Sequence, residues 1–197
     1  MYLSKVIPER FPTTPLQEHQ MVWGLFPRQE NRNFLFGNYG DGSLYVLSKD
    51  EPRSSEKLEI QSRAFKAEPK AGDRLSFHVR IYPRVATTIF HREAGREIKI
   101  KQNLLAYGQS KEPKSLMDEW LSKRTERWGF SLPEGYEILD VENWRFRHKN
   151  RPIRFHVWSL RGVLEVTDPE KFTQTLKGGI GSGKAFGCGM LMVSEVK

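Results

Sequence analysis

The sequence has one cysteine, Cys188, among its 197 residues. A single thiol cannot close a disulfide within the chain, and it cannot supply the ligands of a cysteine-rich zinc site. Long apolar runs are also missing, because no stretch approaches the roughly 20 residues that a membrane-spanning helix needs. The first residues, MYLSKVIPERF, contain no apolar signal core. From these absences we expect a soluble protein of the cytoplasm.

Patterns that bind metal ions are missing as well. The histidines form no pair at the close spacing of a helical metal site, and no compact group of carboxylates falls on adjacent predicted strands. These histidines are His19, His78, His91, His148 and His156. We therefore expect neither a metal ion nor another cofactor.

What the sequence does have is positive charge. Its 32 Lys and Arg residues exceed its 24 Asp and Glu residues, which gives a net charge of +8. Such an excess favours a polyanionic partner such as nucleic acid, although an ordinary basic soluble protein has a similar balance. The length allows one domain or two small ones.

Two groups of secondary-structure elements follow each other along the chain. The first has a strand at YLSKVI, a helix from Pro15 to about Phe26 with Thr14 as its N-cap, and strands at NFLFGNY, SLYVLSK and KLEIQSRAF. The second has strands at RLSFHVRIY and REIKIKQ, a helix near SLMDEWLSKRTERW, two long strands, a helix at DPEKFTQTL and a last strand. Strands interleaved with two helices fit a βαββαβ unit. We predict an α+β fold with two tandem ferredoxin-like, RRM-like modules, at residues 1–70 and 71–197.

Several predicted strands alternate apolar and cationic residues. In WRFRHK, for example, Trp144 and Phe146 share one face while Arg145 and Arg147 share the other. A merely solvated face usually mixes both charges, but the outward positions between Arg145 and Arg154 include no acidic residue. A basic hairpin there could enter a groove or follow two rows of phosphates. The candidate nucleic-acid-binding residues on these segments are Arg80, Arg84, Lys99, Lys101, Arg145, Arg147, Lys149, Arg151 and Arg154.

The stretch GGIGSGKAFGCG, residues 178–189, partly matches a nucleotide-binding P-loop. Gly178, Gly183 and Lys184 fit the pattern, but Ala185 stands where a P-loop needs a hydroxyl to hold magnesium. The predicted order is also helix, loop, strand, whereas a P-loop requires strand, loop, helix. ATP binding is therefore disfavoured. A purely structural turn is an alternative, yet bare amides beside a cation also suit a phosphate of RNA, which makes Gly181, Ser182 and Gly183 candidates for backbone contact.

His19 has two interpretations. It lies on the helix stripe that contains Leu16, Trp23 and Phe26, which favours a histidine of the core with a satisfied ring. A histidine can also move a proton during catalysis. Spacing alone favours the first interpretation.

Four segments favour the second interpretation of His19, because together they resemble the CasE family of CRISPR-associated endoribonucleases. They are MYLSKVI at the start, HQMVWGLFPRQENRNFLF from His19, GVLEVTDPEKF from Gly162 and GIGSGKAFGCGMLMV from Gly179. The segments occur in the family's order and span most of the chain, while residues from about Lys49 to Asn143 match only loosely.

The resemblance implies tandem ferredoxin-like modules with a cleft that binds the stem-loop of a CRISPR repeat. It implies metal-independent cleavage of precursor CRISPR RNA at the 3′ base of that stem, with His19 and Lys184 as catalytic residues. The products would be a 2′,3′-cyclic phosphate and a 5′-hydroxyl. It also implies that the protein keeps the mature guide RNA, joins other Cascade subunits, and meets target DNA only through that complex.

One position departs from the family pattern. Members often carry tyrosine three residues before the catalytic histidine, and here that residue is Leu16. Tyr2 or Lys184 could replace it, or the enzyme could be slow. A non-catalytic RNA-hairpin-binding subunit of the same fold is the alternative function, in which His19 is structural.

Overall fold

The structure, a computed structural model, describes residues 1–27, 31–54, 56–93, 95–108, 111–148 and 151–196. For His148 and Arg151 it describes the backbone alone. Lys149, one of the candidate RNA-binding residues, lies outside the described residues, and so does the side chain of Arg151.

The N-terminal module is a four-stranded antiparallel sheet with one helix. The sheet order is β2-β3-β1-β4, which is the strand order of a ferredoxin-like fold read from one edge. Residues 49–54 and 56–57, which connect β3 to β4, contain no helix, so the usual second helix is replaced by an irregular connection. The elements are β1 (Tyr2–Pro8), α1 (Pro15–Gly24), β2 (Phe34–Asn38), β3 (Leu44–Ser48) and β4 (Leu58–Ala64).

Helix α1 begins where its capping residues predict. The Thr14 hydroxyl accepts a hydrogen bond from the Gln17 amide at 3.2 Å, and Pro15 occupies the first turn. The Gln17 side chain accepts from the Thr13 amide at 2.9 Å, one residue before the N-cap amide that a capping box would use. The helix ends at Gly24, slightly earlier than expected.

The C-terminal module repeats the ferredoxin-like order with an insertion. Strands run β11-β5-β10 across the sheet, and both β8 and β9 pair with the far side of β10. A separate hairpin, β6 and β7, is inserted after β5, and the sequence pattern predicts only its second strand. The elements are β5 (Arg74–Ile81), β6 (Arg84–His91), β7 (Arg96–Asn103), α2 (Leu104–Tyr107), α3 (Pro113–Ser122), α4 (Thr125–Trp128), β8 (Phe130–Ser131), β9 (Tyr136–His148), β10 (Arg151–Val166), α5 (Pro169–Gly178) and β11 (Leu191–Glu195).

Each module has its own apolar core, and a third cluster joins the two. Val6 on β1 packs against Val22 of α1 on one face of the N-terminal sheet. Because side chains alternate along a strand, Leu3 lies on the opposite face, where Leu47 packs with Met190 of the C-terminal module. The prediction of two tandem ferredoxin-like modules is confirmed. The division at residue 70 falls in the connection between β4 and β5 and stays a prediction.

Among the described helices, none is both long and apolar enough to cross a lipid bilayer.

Candidate active site and nucleic-acid interface

The glycine-rich loop follows α5 and folds back against the end of β5. The Ile180 amide donates to the Gly189 carbonyl at 2.8 Å, and the Gly189 amide donates to the Arg80 carbonyl at 2.6 Å. A further amide hydrogen bond, from Ser182 to the Tyr82 carbonyl, measures 3.3 Å. The predicted order of helix, loop and strand is confirmed, since the loop separates α5 from β11. These hydrogen bonds fix the loop to the end of β5 in the C-terminal module.

Helix α1 presents His19 to this loop. The Nδ1 atom of His19 lies 2.7 Å from the carbonyl oxygen of Ala185, in the short 3₁₀ turn Lys184–Phe186. A carbonyl can only accept, so Nδ1 carries the proton. In the neutral ring Nε2 therefore keeps its lone pair. His19 is half-buried, unlike the fully buried Val22 on the same helix, so its ring is accessible in part.

An aromatic cluster connects His19 to the hairpin of β9 and β10. The centre of the His19 ring lies 5.6 Å from the centre of the Phe186 ring. Between ring centres, Phe186 lies 4.9 Å from Phe146 and 5.5 Å from Phe155. Trp23 contacts His19 from its own helix at 5.8 Å. The apolar side of the hairpin therefore packs directly against the candidate catalytic histidine's neighbours.

The opposite side of that hairpin is cationic, as the alternation predicts. Arg145 pairs with Arg154, and directly opposed residues of an antiparallel pair share a face. Arg145, Arg147 and Arg154 are all exposed, whereas Phe146 and Phe155 are half-buried. We name the three exposed arginines the arginine face. It lies on the solvent side of the hairpin whose other side touches Phe186.

A second hairpin, β6 and β7, adjoins the arginine face at its base. The His156 Nδ1 atom donates to the Asn103 side chain at 3.1 Å, which joins β10 to the end of β7. Arg84 at the start of β6 is half-buried and donates to the Lys101 carbonyl at 2.6 Å. The side chains of Lys99 and Lys101 are exposed.

The chain matches a known family over nearly its whole length. The family profile described as "CRISPR associated protein" matches residues 1–195. The CRISPR-associated endoribonuclease Cse3 of Thermus thermophilus is 31% identical over 169 residues, which cover 77% of this chain and 72% of that protein. The CRISPR system Cascade subunit CasE of Escherichia coli is 25% identical over 205 residues and is covered completely, as is this chain. This chain belongs to the CasE family.

A solved structure confirms the fold of this CasE-family chain. The CRISPR endoribonuclease Cse3 bound to 19 nt RNA superimposes with a TM-score of 0.73 at 24% identity. The alignment covers 98% of this chain and 100% of the other.

Arg80 is the predicted surface residue that the structure places elsewhere. Its side chain is only 12% exposed and forms an ion pair with Glu142 of β9. It also donates to the Asn38 carbonyl at 3.1 Å and lies 5.0 Å from the centre of the Trp144 ring. Arg80 therefore connects the two modules beneath the arginine face of the CasE-family chain.

Lys184 lies beside Ala185, the residue that holds His19. Its ammonium group donates to the Gly178 carbonyl at 2.6 Å. Burial lowers the pKa of Lys184, and the positive charges of Arg32 and Arg127 lower that pKa further. Sequence patterns do not predict that Lys184, Arg32 and Arg127 act on one another electrostatically, because the two arginines come from distant segments with no shared motif.

Glu18 is a buried acid that sequence reasoning misses. It is 6% exposed, and its Oε1 atom accepts from the Asn38 amide at 2.9 Å. The other carboxyl oxygen is buried without a hydrogen-bond partner among the described atoms. Burial raises the pKa of Glu18, against the opposing effects of the Asn38 hydrogen bond and the Arg80 charge. The only sequence signal is its position next to His19.

The remaining candidates lie in different surroundings. Tyr82 and Trp158 follow the outward cationic positions of their strands in the sequence, but at 8% and 0% exposed their rings cannot stack on RNA bases. Tyr2 lies on β1, on the face of the N-terminal sheet that α1 covers, and Leu16 is half-buried on α1. In the described part of the chain, no group of three or more His, Cys, Asp and Glu side chains has the arrangement of a metal site.

Proposed function

We propose that this protein is an endoribonuclease that cleaves precursor CRISPR RNA at the 3′ base of the repeat stem-loop without a metal ion. One observation carries the proposal. A histidine whose Nδ1 proton is held by the Ala185 carbonyl lies behind the apolar side of an exposed cationic hairpin, to which Phe186 links it. Relatives named as a CRISPR-associated endoribonuclease and a Cascade subunit support the same class of activity.

The chemistry uses the nucleophile that RNA itself carries. The Nε2 atom of His19 takes the proton of the 2′-hydroxyl, and the 2′-oxygen then forms a bond to the adjacent phosphorus. The bond from phosphorus to the 5′-oxygen breaks, and that oxygen leaves with a proton from a general acid. The products are a 2′,3′-cyclic phosphate and a 5′-hydroxyl.

Lys184 suits the charge that develops on the phosphate. A fixed cation in a partly desolvated site stabilises the phosphorane oxygens more than water does. Since its pKa is lowered, Lys184 is also a better proton donor than an ordinary lysine, and we favour it over Tyr2 as the second catalytic residue. The bare amides around Gly181, Ser182 and Gly183 supply backbone donors to the same RNA strand.

Binding depends on the arginine face and on the lysines of the β6 and β7 hairpin. Their charges contact the phosphates of the stem, and the protein keeps the mature guide RNA after cleavage. In that state it joins the other Cascade subunits, and target DNA reaches it only through the complex.

The alternative is a non-catalytic subunit that binds the same RNA hairpin. Leu16 favours this alternative, because an apolar side chain three residues before His19 cannot orient a phosphate or move a proton. Binding alone would then be the function of the arginine face.

Single-turnover cleavage of a repeat stem-loop in EDTA separates the two functions. We expect cutting with a 2′,3′-cyclic phosphate end, and a loss of about 100-fold or more in His19→Ala. His78→Ala is the matched control, because His78 is hydrogen-bonded to Ser159 at 2.9 Å, away from the glycine-rich loop. Tight binding without cutting by the wild type would establish the alternative.

A further inference from the structure

Phe90 is exposed in a way that the fold does not explain. The ring is 64% accessible to solvent, more than that of any other large apolar residue in the described part of the chain. Phe90 lies on β6, one residue before the last residue of that strand. A single exposed apolar side chain is common on protein surfaces, so its meaning depends on the residues around it.

The pairing of β6 with β7 places Phe90 among cations. Phe90 is opposite Glu97, Thr88 is opposite Lys99, and Ala86 is opposite Lys101. Opposed residues share a face, and residues two apart along a strand share it too. The ring, the two exposed lysines and a single acid therefore form one surface, which we name the Phe90 face.

The other side of the hairpin packs on the protein near its base. Val85 packs against the core of the C-terminal module, and Ile98 and Ile100 are half-buried. Farther out on that side Ile89 is 37% exposed, against 64% for Phe90, so the Phe90 face is the more open of the two sides.

The Phe90 face continues the surface that binds the stem. The base of the hairpin is held by Asn103 to His156 of β10, and by the Trp120 indole, which donates to the Arg84 carbonyl at 3.1 Å. From Arg84 to Phe90 the strand extends about 20 Å at the usual rise per residue. An RNA chain that leaves the arginine face can therefore follow the hairpin outward.

We propose that the Phe90 face binds the single-stranded RNA that flanks the repeat stem, with a base stacked on the Phe90 ring and phosphates at Lys99 and Lys101. This inference rests on the proposed function. An unpaired base offers a free π-face to an aromatic ring, whereas the bases of a stem are already stacked on each other. The centre of a protein interface is usually depleted of lysine, so two lysines beside the ring favour RNA over a protein partner.

The test compares two RNAs on the full-length chain. One is the repeat stem-loop alone, and the other is the same stem-loop with single-stranded extensions on both sides. Equilibrium binding is measured in a His19→Ala background so that the RNA stays intact. We expect Phe90→Ala to weaken binding of the extended RNA by about 5- to 100-fold and to leave binding of the bare stem-loop unchanged.

Two variants distinguish the effect of the Phe90 ring on RNA binding from the effect of the shape of the hairpin. Phe90→Trp keeps a stacking surface and should retain the affinity for extended RNA. Ile89→Ala truncates the neighbouring residue, which points to the other side of the hairpin, and should also retain it. An equal loss in Ile89→Ala would overturn the proposal, because the shape of the hairpin and not the ring would then matter.

Failure of this inference differs from failure of the proposed function. If Phe90→Ala binds both RNAs like its parent while Arg145→Ala weakens both, the Phe90 face is not an RNA site and the proposed function stands. If the parent protein does not bind the bare stem-loop at all, the proposed function fails and this inference fails with it.

Discussion

Gly189→Ala tests how the glycine-rich loop holds the active site. Gly189 has a φ of +85°, and a Cβ added there would lie 2.1 Å from the carbonyl oxygen of Ile180. Gly40, in the turn between β2 and β3, has the same φ, but no heavy atom lies within 4 Å of its added Cβ. Gly40→Ala is therefore a matched control that has the backbone strain without the collision.

The two substitutions differ in their expected effect on stability. A left-handed backbone costs a residue with a Cβ about 1–2 kcal/mol, partly offset because alanine reduces the entropy of the unfolded chain. For Gly40→Ala we expect a loss of about 1 kcal/mol in the free energy of unfolding. In Gly189→Ala the loop must also move away from Ile180. That movement breaks the hydrogen bonds of Gly189 with Ile180 and Arg80, which measure 2.8 and 2.6 Å.

Each of these two broken hydrogen bonds costs about 1–3 kcal/mol, so together with the backbone cost Gly189→Ala should lose about 3–7 kcal/mol in total. The same movement displaces Ala185, which holds the Nδ1 atom of His19. Cleavage should therefore slow in Gly189→Ala at a temperature where the variant is still folded, and stay unchanged in Gly40→Ala. Urea unfolding and single-turnover cleavage measure the two effects. Equal losses of stability in both variants would refute the collision argument.

Three further outcomes are expected. Replacing Arg145 and Arg154 together with alanine should lower the slope of log affinity against log salt by about 1 to 2, and an unchanged slope would remove the arginine face from the RNA surface. Lys184→Ala should slow single-turnover cleavage by about 100-fold while changing affinity little, and an unaffected rate would exclude a catalytic role. Burial raises the pKa of Glu18 above the ordinary value of 4.5, so the folded wild type loses stability as pH rises through the folded pKa of that group. Glu18→Gln can still accept the Asn38 hydrogen bond and lacks this loss, so urea unfolding should show the variant gaining on the wild type as pH rises above 4.5; a constant difference would contradict a buried acid that ionises.

Local patterns predict much of the fold for identifiable reasons. Thr14 and Pro15 mark the start of α1 because a cap and the first turn of a helix depend on neighbouring residues only. The alternation in WRFRHK predicts the arginine face because strand geometry sends successive side chains to opposite sides. The second strand of an exposed hairpin is predicted by its alternating lysines, whereas β6 lacks such a regular pattern and is missed.

The same rule of alternation is insufficient for Arg80. Alternation predicts that the Arg80 side chain lies on the side of β5 away from that strand's apolar residues, and the structure has it there. It cannot say that this side faces the other module, where Glu142 and Asn38 engage the guanidinium. Glu18 illustrates the same limit, since a carboxylate on a helix is expected to face water, but Asn38 and the glycine-rich loop enclose it.

By itself, the sequence determined the two sets of elements, the cationic strand faces, the glycine-rich loop after a helix, and the resemblance that singled out His19 and Lys184. Only the tertiary structure decided that His19 meets Ala185, because these residues are 166 positions apart and no local rule relates them. It also decided that Phe186 links His19 to the basic hairpin, and that Phe90 remains open to solvent while Tyr82 and Trp158 are buried. Periodicity determines which side of an element a residue occupies, whereas the packing of distant elements determines what that side faces.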